Sequence, residues 1–221
     1  MKERLLELFA DYLDDLDYLE QEQKEVLIPM GLEAGRNIPF LYRSLQCMDH
    51  PEETAEVKEK RLFFYMDGEC HLVIDRQEII LTEENARELL AKMAGLFEPV
   101  YPLGTVVELK EEFTKSLHLK RPAGSIRAVI VGRFAALPDG KAYFPYVGSI
   151  YPLGIPEQEK LVHFTGASIH SVVQEGYRDD MEDAYVLWKK KELLLDRDAV
   201  SFGFLDREEA VRYVKEMGVL E

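Results

Sequence analysis

The feature that most constrains the fold is a pair of Asp-Gly dipeptides, each placed between two runs of β-forming residues. The first is Asp67-Gly68, between residues 62–66 and 70–74, and the second is Asp139-Gly140, between residues 126–134 and 143–147. Asp-Gly between such runs is a strong signal for a tight hairpin turn, because both residues tolerate the positive φ that the turn requires. The sequence therefore predicts antiparallel β-structure in both halves of the chain.

Helix-period patterns surround these strands. At the N-terminus, apolar residues recur every three or four positions, which predicts one amphipathic helix of roughly 25 residues that ends before Pro29. Its apolar positions are Leu5, Leu6, Phe9, Tyr12, Leu13, Leu16, Leu19 and Leu27. Further helices are predicted after Thr82 as N-cap, from Asp179 or Asp180 to about Leu194, and from Asp206 to a C-cap at Gly218. Between residues 29 and 60, we expect Gly31, Gly35 and Pro39 to break regular structure, with a loop or helix start at residues 50–53.

Short strands complete the pattern and define the fold class. The remaining predicted strands are residues 79–81, 105–109, 161–164, 169–173 and 200–205. The chain is predicted to be α+β: an N-terminal amphipathic helix, a β-hairpin and a helix, then a mostly antiparallel β-rich unit with helices near the C-terminus. Pro99 and Pro102 mark a boundary between a region 1–98 and a region 99–221, and the two regions can also share one core.

Charge separates these two regions. The chain of 221 residues has a formal net charge of −15. Residues 1–98 hold 11 Lys+Arg and 23 Asp+Glu, and residues 99–221 hold 16 and 19, so the net charges are −12 and −3. Such acidity disfavours nucleic-acid and anionic-membrane partners. The acidic first region is interpreted as a solvated face, with a docking face for a basic partner as the alternative and as the place where specificity is expected.

The lack of a targeting signal and the small number of cysteines indicate the compartment. The sequence has no signal-peptide h-region and no apolar run of membrane-spanning length, so we expect a soluble cytoplasmic protein without membrane insertion. Two cysteines, Cys47 and Cys70, are too few for a disulfide framework or a zinc site, and free buried thiols fit a reducing compartment.

No residue pattern predicts catalysis, a cofactor or a metal site. The five histidines are His50, His71, His118, His163 and His170, and none belongs to a metal-binding spacing. The acidic run at residues 179–183 is interpreted as helix N-terminal acids, with a cation clamp between Asp179 and Asp183 as the alternative. The tetrapeptide Tyr-Pro-Leu-Gly occurs at 101–104 and at 151–154, but the flanking residues do not match. We therefore expect no enzyme.

Partner-binding candidates come from apolar and aromatic side chains. The N-terminal stripe packs on the body of the protein in the favoured interpretation, and meets another protein's helix in the alternative. The aromatic set around residues 143–151 is likewise either core or an exposed patch. The candidate residues are Leu5, Phe9, Tyr12, Leu16, Tyr143, Tyr146, Tyr151 and Tyr177.

Residues about 100–188 carry an ordered set of short motifs. They are Pro102-Leu103-Gly104-Thr105-Val106-Val107-Glu108-Leu109-Lys110, Ile130-Val131-Gly132-Arg133, Asp139-Gly140-Lys141, Tyr146-Val147-Gly148, Tyr151-Pro152-Leu153-Gly154, Phe164 and Gly176-Tyr177-Arg178-Asp179-Asp180-Met181-Glu182. The set resembles the bacterial family known as domain of unknown function 4176, whose genes tend to lie near type VII secretion toxins. The resemblance implies a cytoplasmic accessory role and defines no functional residues. We expect a non-enzymatic chaperone or targeting adaptor for a type VII secreted effector, with an immunity protein that neutralises a cognate toxin as the alternative. The resemblance leaves the oligomeric state open and does not account for the acidic first region.

Overall fold

The computed structural model describes residues 1–34, 37–50, 52–57, 61–116, 125–154 and 161–216. These residues form an α+β fold, as predicted, with two β-sheets. The chain divides into two compact units. The first unit comprises Met1–Pro99 and Lys190–Asp196, and the second comprises Val100–Lys189 and Arg197–Glu221.

The first unit contains helices and a four-stranded sheet. Its elements are α1 (Lys2–Asp15), α2 (Gln21–Ala34), α3 (Ile38–Asp49), β1 (Thr54–Val57), β2 (Arg61–Met66), β3 (Glu69–Ile74), β4 (Gln77–Leu81), α4 (Glu83–Phe97) and a π-helix (Lys191–Asp196). The sheet runs in the order β1-β2-β3-β4, and every neighbouring pair is antiparallel. The predicted hairpin is confirmed, with Asp67 at φ 54° and Gly68 at φ 91° in its turn. The predicted cap is also confirmed, because Thr82 Oγ1 accepts a hydrogen bond of 3.2 Å from the Asn85 amide.

The prediction of one long N-terminal helix is wrong. The chain leaves the helix at Leu16, which is extended (φ −80°, ψ 118°), and α2 begins at Gln21. Pro29 does not end a helix either, because it lies inside α2. A proline there removes one helical hydrogen bond. Leu27 before it and Met30 after it are fully buried, and their packing stabilises the helix.

The prediction that Gly31 and Pro39 break regular structure is also wrong, and Gly35 lies outside the described residues. Pro39 occupies the first turn of α3, where a missing amide hydrogen costs nothing. Gly31 lies within α2, where the missing side chain makes room for two aromatic rings. A Cβ there would lie 2.7 Å from Phe97 Cε2 and 2.9 Å from Phe9 Cδ1. Strand β1 follows α3 and extends the sheet by one antiparallel strand.

Two buried lysines tie residues 190–196 to α4 within the first unit. Lys92 Nζ donates a hydrogen bond to the Leu194 carbonyl. Lys190 Nζ donates to the carbonyls of Leu96 and Glu98, each at 2.7 Å. Each ammonium therefore donates to backbone carbonyls at a helix end, where the carbonyls have no intrahelical donor.

The second unit is built on a six-stranded sheet. Its elements are β5 (Val106–Leu109), α5 (Glu111–Ser116), β6 (Arg127–Ala136), β7 (Ala142–Tyr151), β8 (Val162–Phe164), a 3-10 helix (Gly166–Ser168), β9 (Ile169–Gln174), α6 (Asp180–Lys190), β10 (Val200–Ser201), a 3-10 helix (Phe202–Phe204) and α7 (Arg207–Glu216). The strand order is β10-β7-β6-β5-β9, and β8 also pairs with β7. All pairs are antiparallel except β10 with β7.

The C-terminal predictions hold in part. The predicted strand at residues 200–205 is wrong beyond Ser201, because the chain there forms a 3-10 helix. The Asp206 cap is confirmed, since its Oδ1 accepts a hydrogen bond of 2.8 Å from the Glu209 amide. Tyr213 of α7 packs into a small buried cluster with Leu137, Ala142 and Phe144. The predicted C-cap at Gly218 lies outside the described residues. None of the described helices combines the length and the apolar character needed to cross a membrane.

Candidate functional site

A shallow, open groove of about 560 Å³ lies on the second unit. One wall is α6 with the segment before it, and the other is β6 with the loop before β5. The lining residues are Leu103, Val131, Gly132, Arg133, Tyr177, Asp179, Met181, Glu182 and Tyr185. Strand β6 carries a β-bulge where it lines the groove: the register with β7 shifts between Ile130 and Gly132, which leaves Val131 as an extra residue.

An ion pair forms the floor of the groove. The Arg133 guanidinium donates two hydrogen bonds to the Glu182 carboxylate; one joins Nη2 to Oε2 at 3.0 Å and the other joins Nη1 to Oε1. The two side chains are 4% and 15% exposed. The guanidinium also lies 5.3 Å from the centre of the Tyr185 ring, and Nη1 lies 3.5 Å from the Tyr101 carbonyl oxygen. The bidentate pair joins α6 to β6, and both charges are compensated.

The segment before α6 is held against the loop before β5. The Gly176 amide donates a hydrogen bond of 3.0 Å to Thr105 Oγ1, and that hydroxyl donates one of 2.7 Å to the Pro102 carbonyl. A Cβ at position 176 would lie 2.1 Å from the Leu103 carbonyl oxygen, so only glycine allows this approach. The neighbouring Tyr177 is consequently presented from a fixed backbone although its side chain is 81% exposed.

The acidic run at the start of α6 has structural partners. Asp179 Oδ1 accepts a hydrogen bond of 2.9 Å from the Glu182 amide, which confirms the interpretation of this run as helix N-terminal acids. Asp183 Oδ1 accepts one of 2.9 Å from Arg178 Nε, so it does not join Asp179 in a cation clamp. Within the described part of the chain, no group of three or more His, Cys, Asp or Glu side chains is placed to hold a metal ion.

Large apolar side chains on α6 face solvent. Met181 is 80% exposed and Trp188 is 56% exposed, and Ala184 and Tyr185 are also exposed. Their spacing of three, one and three residues places them on one side of the helix, which we name the α6 stripe (Met181, Ala184, Tyr185, Trp188). With Tyr177 and the exposed Leu103, the stripe forms a contiguous apolar surface around the groove. Exposed aromatic and methionine side chains are enriched in protein interfaces.

The predicted site residues are divided between core and surface. Leu5, Phe9 and Leu16 are buried in the first unit. Tyr12 is half-buried, and its hydroxyl donates a hydrogen bond of 2.9 Å to Glu88 Oε1. Burial and the neighbouring Tyr18 and Glu88 raise the pKa of Tyr12 far above its usual range.

The aromatic candidates of the second unit are divided in the same way. Tyr143 and Tyr146 are buried in the sheet, and the Tyr146 hydroxyl accepts a hydrogen bond of 3.1 Å from the Tyr101 amide. Tyr151 and Tyr177 are exposed, and of the eight candidates Tyr177 lines the groove.

Sequence reasoning missed the α6 stripe. A signal was present, because Met181, Tyr185 and Trp188 recur every three or four residues within the predicted helix, and Tyr177 precedes Met181 by the same spacing. A second apolar set on the same helix, which includes the buried Val186, masks that signal because sequence alone does not say which set faces the core. No pattern in the sequence predicts the bulge at Val131.

The histidines of the strands and the Cys70 thiol are kept apart or held in the core. Strands β8 and β9, which carry His163 and His170, are separated by β7, β6 and β5. His71 is buried, stacks on Phe64 at a centroid distance of 4.7 Å, and lies 2.9 Å from Glu78 Oε1. Burial raises the pKa of Cys70 to about 11, so its thiol stays protonated near neutral pH. His118 lies outside the described residues.

Comparison with known proteins places the groove within a family-matching segment. Residues 100–185 match the family described as Domain of unknown function (DUF4176). That match confirms the resemblance noted from the sequence, and it includes every residue that lines the groove.

One curated protein is similar over part of the chain. It is the small ribosomal subunit protein bS1A of Synechocystis sp., which is 31% identical over 113 residues, covering 43% of this chain and 34% of that protein. The chain thus spans about a third of the length of this relative. No solved structure matches the chain.

Proposed function

We propose that this protein is a non-enzymatic cytoplasmic binding protein that serves as a chaperone or targeting adaptor for a type VII secreted effector. The observation that carries the proposal is the groove with its apolar surroundings: its charged groups bond to partners within the protein, while its aromatic and methionine side chains face solvent. The family resemblance supports an accessory role beside such effectors.

The arrangement of the groove favours recognition over chemistry. Asp179 and Glu182 are the acids of the 179–183 run that line it, but Asp179 caps α6 and Glu182 pairs with Arg133. A general acid or base must reach a substrate proton, and these carboxylates are already engaged. The exposed apolar side chains, by contrast, gain free energy only when a partner covers them.

The charge around the groove indicates the chemistry of the partner. Glu175, Asp179 and Asp180 are exposed beside Tyr177 and Met181, and so is Arg178, which pairs with Glu175 and Asp183. The chain as a whole carries −15. A partner surface that combines apolar side chains with Lys or Arg residues at its edge complements this pattern, and the charges would speed its association.

Co-purification from the organism that encodes the protein tests the proposal. The neighbouring toxin genes must be expressed, and the bait proteins are the wild type, Met181→Glu in the groove and Met66→Glu as matched control. Met66 is also an exposed methionine, 49% accessible, but it lies at the end of β2 in the first unit. We expect the wild type and the control to recover the same effector and Met181→Glu to lose it. Recovery of the bait alone in all three preparations contradicts the proposal.

The alternative function, direct neutralisation of a toxin, is supported by the acidity of the protein. Acidic inhibitors of basic enzymes use charge complementarity to associate rapidly. Co-expression with the adjacent toxin separates the two functions: an adaptor promotes export of the toxin without protecting the cell, whereas an immunity protein protects the cell. Protection that Met181→Glu abolishes would assign neutralisation to the same groove.

A further inference from the structure

The methionines of this chain differ widely in their access to solvent, and the most exposed of those described lies in the groove. Met181 is 80% exposed and lines the groove wall formed by α6. The other described methionines are less exposed, at 49% for Met66, 39% for Met1 and at most 5% for Met30, Met48 and Met93. Met217 lies outside the described residues. Within the described part of the chain, Met181 is therefore the thioether most open to a small oxidant.

The two cysteines do not compete effectively for such an oxidant. Cys47 and Cys70 are free thiols, and both are buried. Burial raises the pKa of each thiol, and that of Cys70 to about 11. Because the thiolate is the form that a peroxide oxidises readily, both thiols react slowly near neutral pH. The exposed thioether of Met181 is consequently the sulfur that the described structure favours for oxidation.

The start of α6 is held by groups other than the Met181 side chain. Met181 lies in the first turn of the helix and faces solvent. Asp179 Oδ1 accepts a hydrogen bond from the Glu182 amide, and the Glu182 carboxylate pairs with Arg133. A chemical change at the Met181 sulfur removes neither contact. We therefore expect oxidation to alter the surface of the groove and to leave α6 in place.

We propose that Met181 is an oxidation site that controls the groove: a hydroperoxide such as hydrogen peroxide converts its thioether to the sulfoxide, and the sulfoxide releases the bound partner. A sulfur lone pair attacks one oxygen of the peroxide, the O–O bond breaks, an S–O bond forms, and the second oxygen leaves as water after proton transfer. The sulfur is oxidised and the peroxide is reduced. The inference rests on the proposed function for its consequence, since release requires a partner in the groove.

The sulfoxide changes what a partner must cover. The thioether is apolar, and Tyr177 and Tyr185, four residues to either side of it, line the same groove. The sulfoxide oxygen is a polar acceptor that water solvates while the groove is open. The carboxylates of Asp179 and Asp180, exposed beside it, offer no hydrogen-bond donor when ionised. A partner that buries the sulfoxide without supplying a donor should lose affinity at least about tenfold.

Peroxide treatment of the full chain tests the site in the absence of a partner. Peptide mass spectrometry over a time course gives the order in which the methionines are converted. We expect Met181 to be converted before Met66, with the three buried methionines still reduced in the folded protein. At the stage where Met181 is converted and Met66 is not, we expect the far-ultraviolet circular dichroism and the urea midpoint to match those of the untreated protein.

Binding of Nile red, a neutral apolar dye, reports on the groove without an effector. Conversion of Met181 should lower the fluorescence of the bound dye. Met181→Gln places a polar side chain of similar length there and should lower it without peroxide. The matched control Met66→Gln, at the exposed methionine of the first unit, should lower it less.

The release of the partner is tested with the effector that the untreated wild type recovers. The bait protein alone is treated with peroxide, the peroxide is removed with catalase, and the effector is then added. Oxidised wild type and oxidised Met66→Leu should bind the effector at least about tenfold more weakly than before treatment. Oxidised Met181→Leu should keep its untreated affinity, because its side chain at this position is apolar and has no sulfur.

Conversion of Met66 before Met181 would overturn the inference. So would an oxidised wild type that keeps its affinity for the effector, or a Met181→Leu protein that loses its affinity on treatment. If untreated wild type recovers no effector, the proposed function is wrong, and the order of conversion and the dye binding still judge the oxidation site. If the effector is recovered but oxidation of Met181 does not weaken its binding, the oxidation site is wrong and the proposed function stands.

Discussion

The ion pair between Arg133 and Glu182 gives the sharpest prediction about the second unit. It joins α6 to β6, and the groove lies above it. Replacing Glu182 with alanine removes the carboxylate and leaves the Arg133 guanidinium, 4% exposed, without its anionic partner. We expect this substitution to destabilise the second unit and to loosen α6.

The magnitude follows from the burial of the pair. Breaking a buried ion pair by removing one member costs about 3–5 kcal/mol, because the remaining charge is left in a medium that solvates it poorly. Two contacts remain to Arg133, the Tyr101 carbonyl oxygen at 3.5 Å and the Tyr185 ring at 5.3 Å. We therefore expect the lower end of that range, about 3 kcal/mol of unfolding free energy.

Urea denaturation followed by Trp188 fluorescence measures the loss, because Trp188 lies on α6 itself. The matched control is Glu111→Ala, which breaks an exposed pair with Lys115 in the same unit and should cost less than about 0.5 kcal/mol. The double variant Arg133→Leu/Glu182→Leu removes both charges and should recover to within about 1 kcal/mol of wild type. If Glu182→Ala is no more destabilised than Glu111→Ala, the ion pair does not hold α6.

Three further predictions concern backbone fit, helix capping and pH. Gly176→Ala should destabilise the second unit by about 2 kcal/mol or more in the same assay, because its Cβ would lie 2.1 Å from the Leu103 carbonyl oxygen; an unchanged midpoint would contradict this. Thr82→Ala should lower the unfolding free energy by about 1 kcal/mol, measured by circular dichroism, with Thr82→Ser close to wild type. Burial, partly opposed by Lys190 and by the hydrogen bond from Tyr42, raises the pKa of Glu98 from 4.5 to about 7. The folded protein therefore retains a proton that the unfolded chain releases, and its stability should fall by up to about 3 kcal/mol as pH rises from about 4.5 through 7. Glu98→Gln should remove this loss, and parallel pH profiles of the two proteins would contradict the assignment.

Local patterns predicted the elements whose signals lie within a few residues. The turn at Asp67-Gly68, the cap at Thr82 and the cap at Asp206 were all predictable, because each depends on one side chain and its nearest backbone groups. The failures occurred where tertiary contacts decide the outcome. Pro29 was expected to end a helix, but buried neighbours hold α2 together around it. Gly31 was interpreted as a breaker, but it makes room for the rings of Phe9 and Phe97.

The candidate site was less predictable than the fold for the same reason. Tyr143, Tyr146 and Tyr177 are the same residue type in the same half of the chain, yet the first two are buried and the third is 81% exposed. Tertiary contacts set such differences, as where Gly176, next to Tyr177, contacts residues 103–105, which are distant in sequence. The charge distribution favoured the acidic first region as the place where specificity is expected, whereas the groove lies in the second unit and within the family-matching segment.

Photo-crosslinking from position 177 tests the central claim most directly. A benzophenone side chain replaces Tyr177, which lines the groove, and in a parallel protein it replaces Met66 in the first unit. Both proteins are produced in the encoding organism with the neighbouring effector genes expressed, and adducts are identified by mass spectrometry. The account predicts an adduct with a secreted effector from position 177 and none from position 66. An effector adduct from position 66 alone would contradict it and would place the partner on the first unit.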